Sequence, residues 1–362
     1  MKYKKCHLGR DKQKSVEPWE ASKVFRDKYS VEVCSSPDSF HDQCSNKIIK
    51  AHTIPKSSSL KAIAVDGHVY GFNTSLENIH KQRGKIRPEL IGINKASTFT
   101  GFCTFHDDRI FSAIEKNEFQ CTEEQCFLLA YRAFSRECYT KSAMANLSEL
   151  WASLDKGKSI EHQMEIQLKS FLIDIGVRTA LKDNKFHKLK FDTMLESREY
   201  KEIQAIIFRL DSPPPVMVSG SVNPDFDFDG QQIQDLMELE IIPDLLSMTS
   251  FYDGKNGYMV MSWLSYCGAT CQKLIDSLLK KPKEDISRYL VQYMFKNFEN
   301  CFIAPNWWDE FSDKDKKSIV ELMAESASPV SEPNGDGIAS AYLNVNFPNI
   351  NGIEYINWQA IQ

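Results

Sequence analysis

Three features of the 362-residue sequence predict an α+β fold. Short strand-like runs among loop-forming residues fill the first third, long helical periodicity fills the middle, and strands alternate with helices in the last part. From the N-terminus, the amphipathic stretch 19–29 predicts a helix or a partly ordered arm. Residues 34–121 are rich in Ser, Thr, Gly, Asn and His. Runs at 47–54 and 62–72 read as strands parted by a serine turn at 57–59. A region of this texture has a thin core of its own and calls for a staple. Thr122-Glu-Glu-Gln125 then has the form of a capping box, and the apolar run 126–134 continues it as a helix. A second helix is expected over roughly 144–175.

Beyond Tyr200 the runs 205–210, 216–219 and 258–264 read as strands, with Pro213-Pro-Pro215 as a stiff turn between the first two. Helical spacing marks 233–246, 271–280, 286–298 and 312–323, the last with Ser312 as N-cap. The final thirty residues, with many Asn, Pro and Gly, predict an irregular packed tail. Three segments follow: 1–121, a helical 122–200, and a mixed α/β 201–362.

Apolar residues make up 42% and charged residues 26%, the values of an ordinary globular protein. No apolar run approaches the eighteen or so residues that span a bilayer, so no membrane partner is expected. The basic start, Met1-Lys-Tyr-Lys-Lys, is followed by no apolar leader, and a reducing cytoplasm is the expected location. The ten cysteines should then be thiols or metal ligands. The net charge of −5 is unevenly spread, with nine basic and three acidic residues between 47 and 95. That stretch suits a nucleic-acid backbone, or is simply a solvated basic face. The acidic remainder suits a protein partner or a homo-oligomer.

The chemistry concentrates in two places. Cys103-x-x-His106, followed at once by Asp107, supplies two soft ligands from one tight turn. Cys34, His41 and Cys44 offer the other half of a tetrahedral Zn2+ site. Cys34 with Cys44 is preferred, since the residues between them can loop out. His41, at knuckle spacing from Cys44, stands in reserve. Buried small thiols without a metal are the plainer alternative.

The run Ala51-His52-Thr53-Ile54-Pro55, after a cysteine and before the Cys103/His106 pair, resembles the HNH (His-Me finger) nuclease motif. The resemblance covers about residues 34–115. It implies a ββα unit on a treble-clef structural zinc, fused to an unassigned C-terminal part. It also implies His52 as general base, and Asp107 as ligand of a catalytic Mg2+ or another divalent cation. The function implied is a metal-dependent endonuclease, by analogy a prokaryotic anti-phage or restriction effector. The chain departs from the pattern at Ala51, where the family often has Asp, and at Asn94, which is out of register. His68 is a further imidazole able to replace a missing group. The alternative is a non-catalytic zinc module that docks nucleic acid or protein.

In the second half, Asp225-Phe-Asp227-Phe-Asp229-Gly230 opens like an EF-hand loop but has Leu236 at the twelfth position. It reads equally as a strand with one wet face. Trp307, Trp308, Cys267 and Cys271 read as core.

Overall fold

The computed structural model describes residues 9–72, 87–327 and 346–358. The first eight residues, part of the basic segment and part of the C-terminal tail lie outside the described residues. Helix α1 (Pro18–Tyr29) begins with proline in its first turn and a reciprocal Glu17/Glu20 cap. Strand β1 (Ile48–His52) pairs antiparallel with β4 (Thr98–Cys103). β4 runs directly into α2 (Thr104–Ile110) and α3 (Ser112–Glu115).

The remaining strands form one antiparallel eight-stranded sheet, in the order β10-β5-β8-β7-β6-β9-β2-β3. Its members in chain order are β2 (His68–Phe72), β3 (Pro88–Gly92), β5 (Ile203–Leu210), β6 (Val216–Val222), β7 (Leu246–Tyr252), β8 (Gly257–Leu264), β9 (Cys301–Ile303) and β10 (Ile350–Ile356). Through the β2–β9 pairing, residues early in the chain share this sheet with the last third. β8 is buried at every position, so its sequence shows no alternation of apolar and polar residues.

Helix α4 (Glu123–Ala145) packs along β5 to β8 and on the later helix α6. Every residue from Gln125 to Ser135 is buried, as expected of a helix covered all round. Half of its expected capping box forms: Thr122 Oγ1 accepts from the Gln125 N–H at 3.2 Å. Gln125 instead accepts from the Gln120 N–H. Helices α7 (Gly268–Leu279) and α8 (Ile286–Asn297) pack on β8 and β6. They are followed by α9 (Pro305–Asp309) and α10 (Asp313–Ala327). Trp307, Trp308, Cys267 and Cys271 are all core.

The mixed α+β class stands, but several elements differ from expectation. The helix expected over 144–175 is two helices, α5 (Ser148–Ser153) and α6 (Ile160–Ser197). Gly157 takes a left-handed φ of 71° between them, and Ser159 caps the second by accepting from the His162 N–H. Residues 233–246 form turns, because Pro243 interrupts the run and the Gln234 amide bonds Pro224 O and Asp244 O. The stretch 62–72 is a strand only from His68. A helical turn precedes it, and Asp66 and Gly67 make the bend with positive φ. The tail is not irregular throughout, since β10 zips onto β5. The Asp225–Gly230 run is neither strand nor calcium loop in form. Asp227 Oδ1 accepts from Asp229 N and Gln231 N, closing a local turn at Gly230.

The C-terminal half of α6 also carries His187, 1% exposed, between the Tyr266 hydroxyl (2.6 Å) and Pro243 O (3.0 Å). Burial pulls its pKa below the usual 6.5, despite the carbonyl and Asp244. The unfolded chain therefore takes up this proton at higher pH than the folded one. Its contribution to stability is present above about pH 6.5 and is lost as pH falls through the lowered folded value. His187→Gln should flatten the acid limb of a urea-midpoint profile between about pH 7 and pH 5. An unchanged slope would contradict this.

Candidate metal centre and the residues beside it

Cys103 ends β4 and caps α2, its sulfur accepting from the His106 N–H. The first turn of α2 therefore presents Cys103 and His106 to one point. The segment around Cys34 is laid along β4 by Val33 N–H to Thr100 O and Ser35 N–H to Gly101 O. The Tyr131 hydroxyl of α4, 3.0 Å from Ser35 O, holds it from behind. A 3-10 turn over Asp38–Gln43 then returns the chain so that Cys44 precedes β1.

The ligand atoms of Cys34, Cys44, Cys103 and His106 all lie within 4.8 Å of one another. His106 Nδ1 is 3.4 Å from each of the three sulfurs. Tetrahedral zinc, with bonds near 2.3 Å to sulfur and 2.0–2.1 Å to nitrogen, demands about 3.5 Å between such atoms. Three thiols and one imidazole converging on one point are a structural zinc donor set, and these four residues are positioned to hold the ion. Phe40 lies over the His106 ring and shields the site. Burial and the neighbouring sulfurs push the Cys44 thiol up to about 12. For Cys103, burial is outweighed by the His106 N–H and by Ser45, which bring it down to about 7. A divalent cation relieves the cost of gathering such thiolates. The reserve ligand His41 is outside the cluster, its Nε2 3.1 Å from Ser36 O.

His52, at the end of β1, pairs across the two-stranded sheet with Thr98 of β4. Its Nε2 is 3.2 Å from Ile93 O. A carbonyl only accepts, so the proton sits on Nε2 and leaves Nδ1 as a free base. Burial lowers the pKa of this imidazole, with Lys56 and Arg132 adding to the effect against Ile93 O and Glu115. Asp107, one residue past the zinc histidine, keeps Oδ1 buried without a protein partner. Burial lifts its carboxyl to about 6, against the pull of Arg132 and with Glu115 and Asp108 adding to the rise.

His52 and Asp107 are thus influenced by the same two charges. Arg132 and Glu115 form an ion pair of 2.6 Å, with the guanidinium 2% exposed and 4.0 Å over the Phe111 ring. Sequence reasoning passed over both residues. The available signal was an arginine inside the otherwise apolar run 126–134. Ala51 is buried and supplies no ligand. Asn94 accepts from Lys56. His68 stands apart, exposed at the start of β2, opposite Gly92 and donating to Asp66 O.

No family model, curated protein or solved structure matches this chain. Among the described residues no helix is long and apolar enough to cross a membrane.

Proposed function

We propose that this chain is a metal-dependent endonuclease of the HNH kind, its β1–β4–α2 unit stapled by zinc. The observation that carries the reading is the tautomer of His52: a neutral imidazole with Nε2–H tied to Ile93 O and Nδ1 free. Such a base accepts the proton of an attacking water at neutral pH. A nearby divalent cation, held through the unpartnered Asp107 oxygen, would offset charge on the phosphate. A cleft of about 190 Å³ beside this strand pair, which neither His52 nor Asp107 lines, offers polar groups to a nucleic-acid backbone. Thr98, the cross-strand neighbour of His52, lines it with Lys50, Arg136, Thr100 and Tyr139. Two cations and several hydroxyls suit a phosphate backbone. A role as an anti-phage or restriction effector is part of the same proposal.

A second reading, a non-catalytic zinc module, is favoured by Arg132. Its fixed positive charge stands beside the one carboxylate that the cation would need.

Supercoiled plasmid and single-stranded RNA incubated with Mg2+, Mn2+ or Ni2+ separate the two. Cleavage by the wild type and a loss of at least about a hundredfold in His52→Ala are expected. Intact substrates under every condition, or equal cleavage by both proteins, would give the second reading its place.

A further inference from the structure

His52 and the carbonyl that fixes its tautomer stand on different sheets. His52 ends β1 of the two-stranded pair, whereas Ile93 follows β3, which joins β9 and β6 of the eight-stranded sheet through β2. Ile93 is held there by its own N–H, 3.0 Å from Gly67 O. The 3.2 Å bond from His52 Nε2 to Ile93 O therefore spans a joint, and its geometry depends on how the two sheets are aligned. Ile54, Val69, Met217 and Phe302 pack together across this joint. Apolar contacts of that kind are non-directional and set no register.

Direction comes from a buried polar clasp one residue beyond His52. Asn300, 4% exposed and next to β9, donates from Nδ2 to Thr53 Oγ1 (2.8 Å) and to Ser219 O of β6 (2.7 Å). Thr53 Oγ1 is also hydrogen-bonded to Ser97 Oγ, which accepts from the Ile54 N–H at 3.0 Å. The Thr53 N–H donates to Ser97 O at 2.9 Å. Ser97 sits at φ 59°, a left-handed conformation that costs a non-glycine residue and persists only where its surroundings impose it. One carboxamide thus ties the end of β1 and the approach to β4 onto the large sheet.

We propose that Asn300 is a positioning residue for His52, aligning the small sheet on the large one so that Nε2–H meets Ile93 O and Nδ1 is left free for the attacking water. The catalytic use of this alignment rests on the nuclease reading; the alignment itself does not. Nitrogen-15 NMR of the histidine rings in the full-length, zinc-containing protein keeps the two apart, because it reports the His52 tautomer whether or not a substrate is cleaved. The wild type should show the Nε2–H form. Asn300→Ala and the isosteric Thr53→Val should each lower the ratio of Nε2–H to Nδ1–H imidazole by roughly two- to tenfold, the worth of one net hydrogen bond. Thr53→Ser, which keeps the hydroxyl, should match the wild type. In cleavage assays the two damaging variants should lower kcat by about tenfold or more with KM unchanged. An unaltered tautomer in folded Asn300→Ala or Thr53→Val would overturn the proposal whatever happens to activity, since a merely structural role gives that result. So would a Thr53→Ser protein as damaged as Thr53→Val. A shifted tautomer in a protein whose wild type cleaves nothing would uphold the alignment and remove only its catalytic use.

Discussion

Stripping the metal is expected to cost this protein more stability than any single side-chain change away from the site. The purified chain should hold about one zinc per molecule. A strong chelator, or Cys103→Ser, should lower the melting temperature by on the order of 10 °C. The reason is local. Cys34 and Cys44 lie on a loop-rich segment whose regular structure before β1 is one 3-10 turn, and Cys103 and His106 start a seven-residue helix. Without the ion, three thiols and an imidazole face one another with nothing to hold them. Loss of β1–β4 pairing should follow, visible as faster amide exchange in residues 48–52 and 98–103. Zinc-free protein that melts at the same temperature would disprove the staple.

Arg132→Met is expected to destabilise the fold by about 1–3 kcal/mol, less than the one-sided loss of a wholly buried pair because the Glu115 side chain is 35% exposed. The guanidinium is almost wholly buried, stacks over Phe111 and offsets both Glu115 and the rise in the Asp107 carboxyl. Removing it leaves the half-exposed Glu115 unpaired and the buried oxygen of Asp107 without a compensating charge. Adding Glu115→Gln and Asp107→Asn to Arg132→Met should recover much of the loss. Urea unfolding of the single and combined variants measures the coupling. A single-variant loss under about 1 kcal/mol would mean that the pocket is better hydrated than its burial implies.

The metal cluster was legible because its information is local. Cys103-x-x-His106 lies within one turn, so spacing alone aims both side chains at one point, and the second pair needed only proximity. Preferring Cys34 over His41 rested on the idea that the residues between the cysteines loop out, and they do so as a short helical turn. Strands β5, β6 and β8 were legible for a similar reason, being short apolar runs bounded by turn residues. β3, β4, β7, β9 and β10 were not. β9 has three residues, and β7 begins inside a run whose apolar spacing imitates a helix until Pro243 breaks it.

The pocket beside His52 shows the limit most clearly. Arg132 comes from α4 and Glu115 from α3, seventeen positions apart, and each matters only because packing removes water from between them. Spacing could nominate His52 and Asp107 but could not reveal the cation lodged next to them. The same holds for α6. Its periodicity announced a helix, but not that Met164, Leu168 and Phe171 would stay exposed while Gln163 and Ser170 are buried. Composition, helix caps and ligand spacing are properties of residues and their near neighbours, and they indicated the class of fold and nominated the candidate metal ligands, with Cys34 or His41 as the fourth. Which face of a helix is covered, and which buried charge meets which, depend on contacts between distant segments, and only the packed chain supplies those.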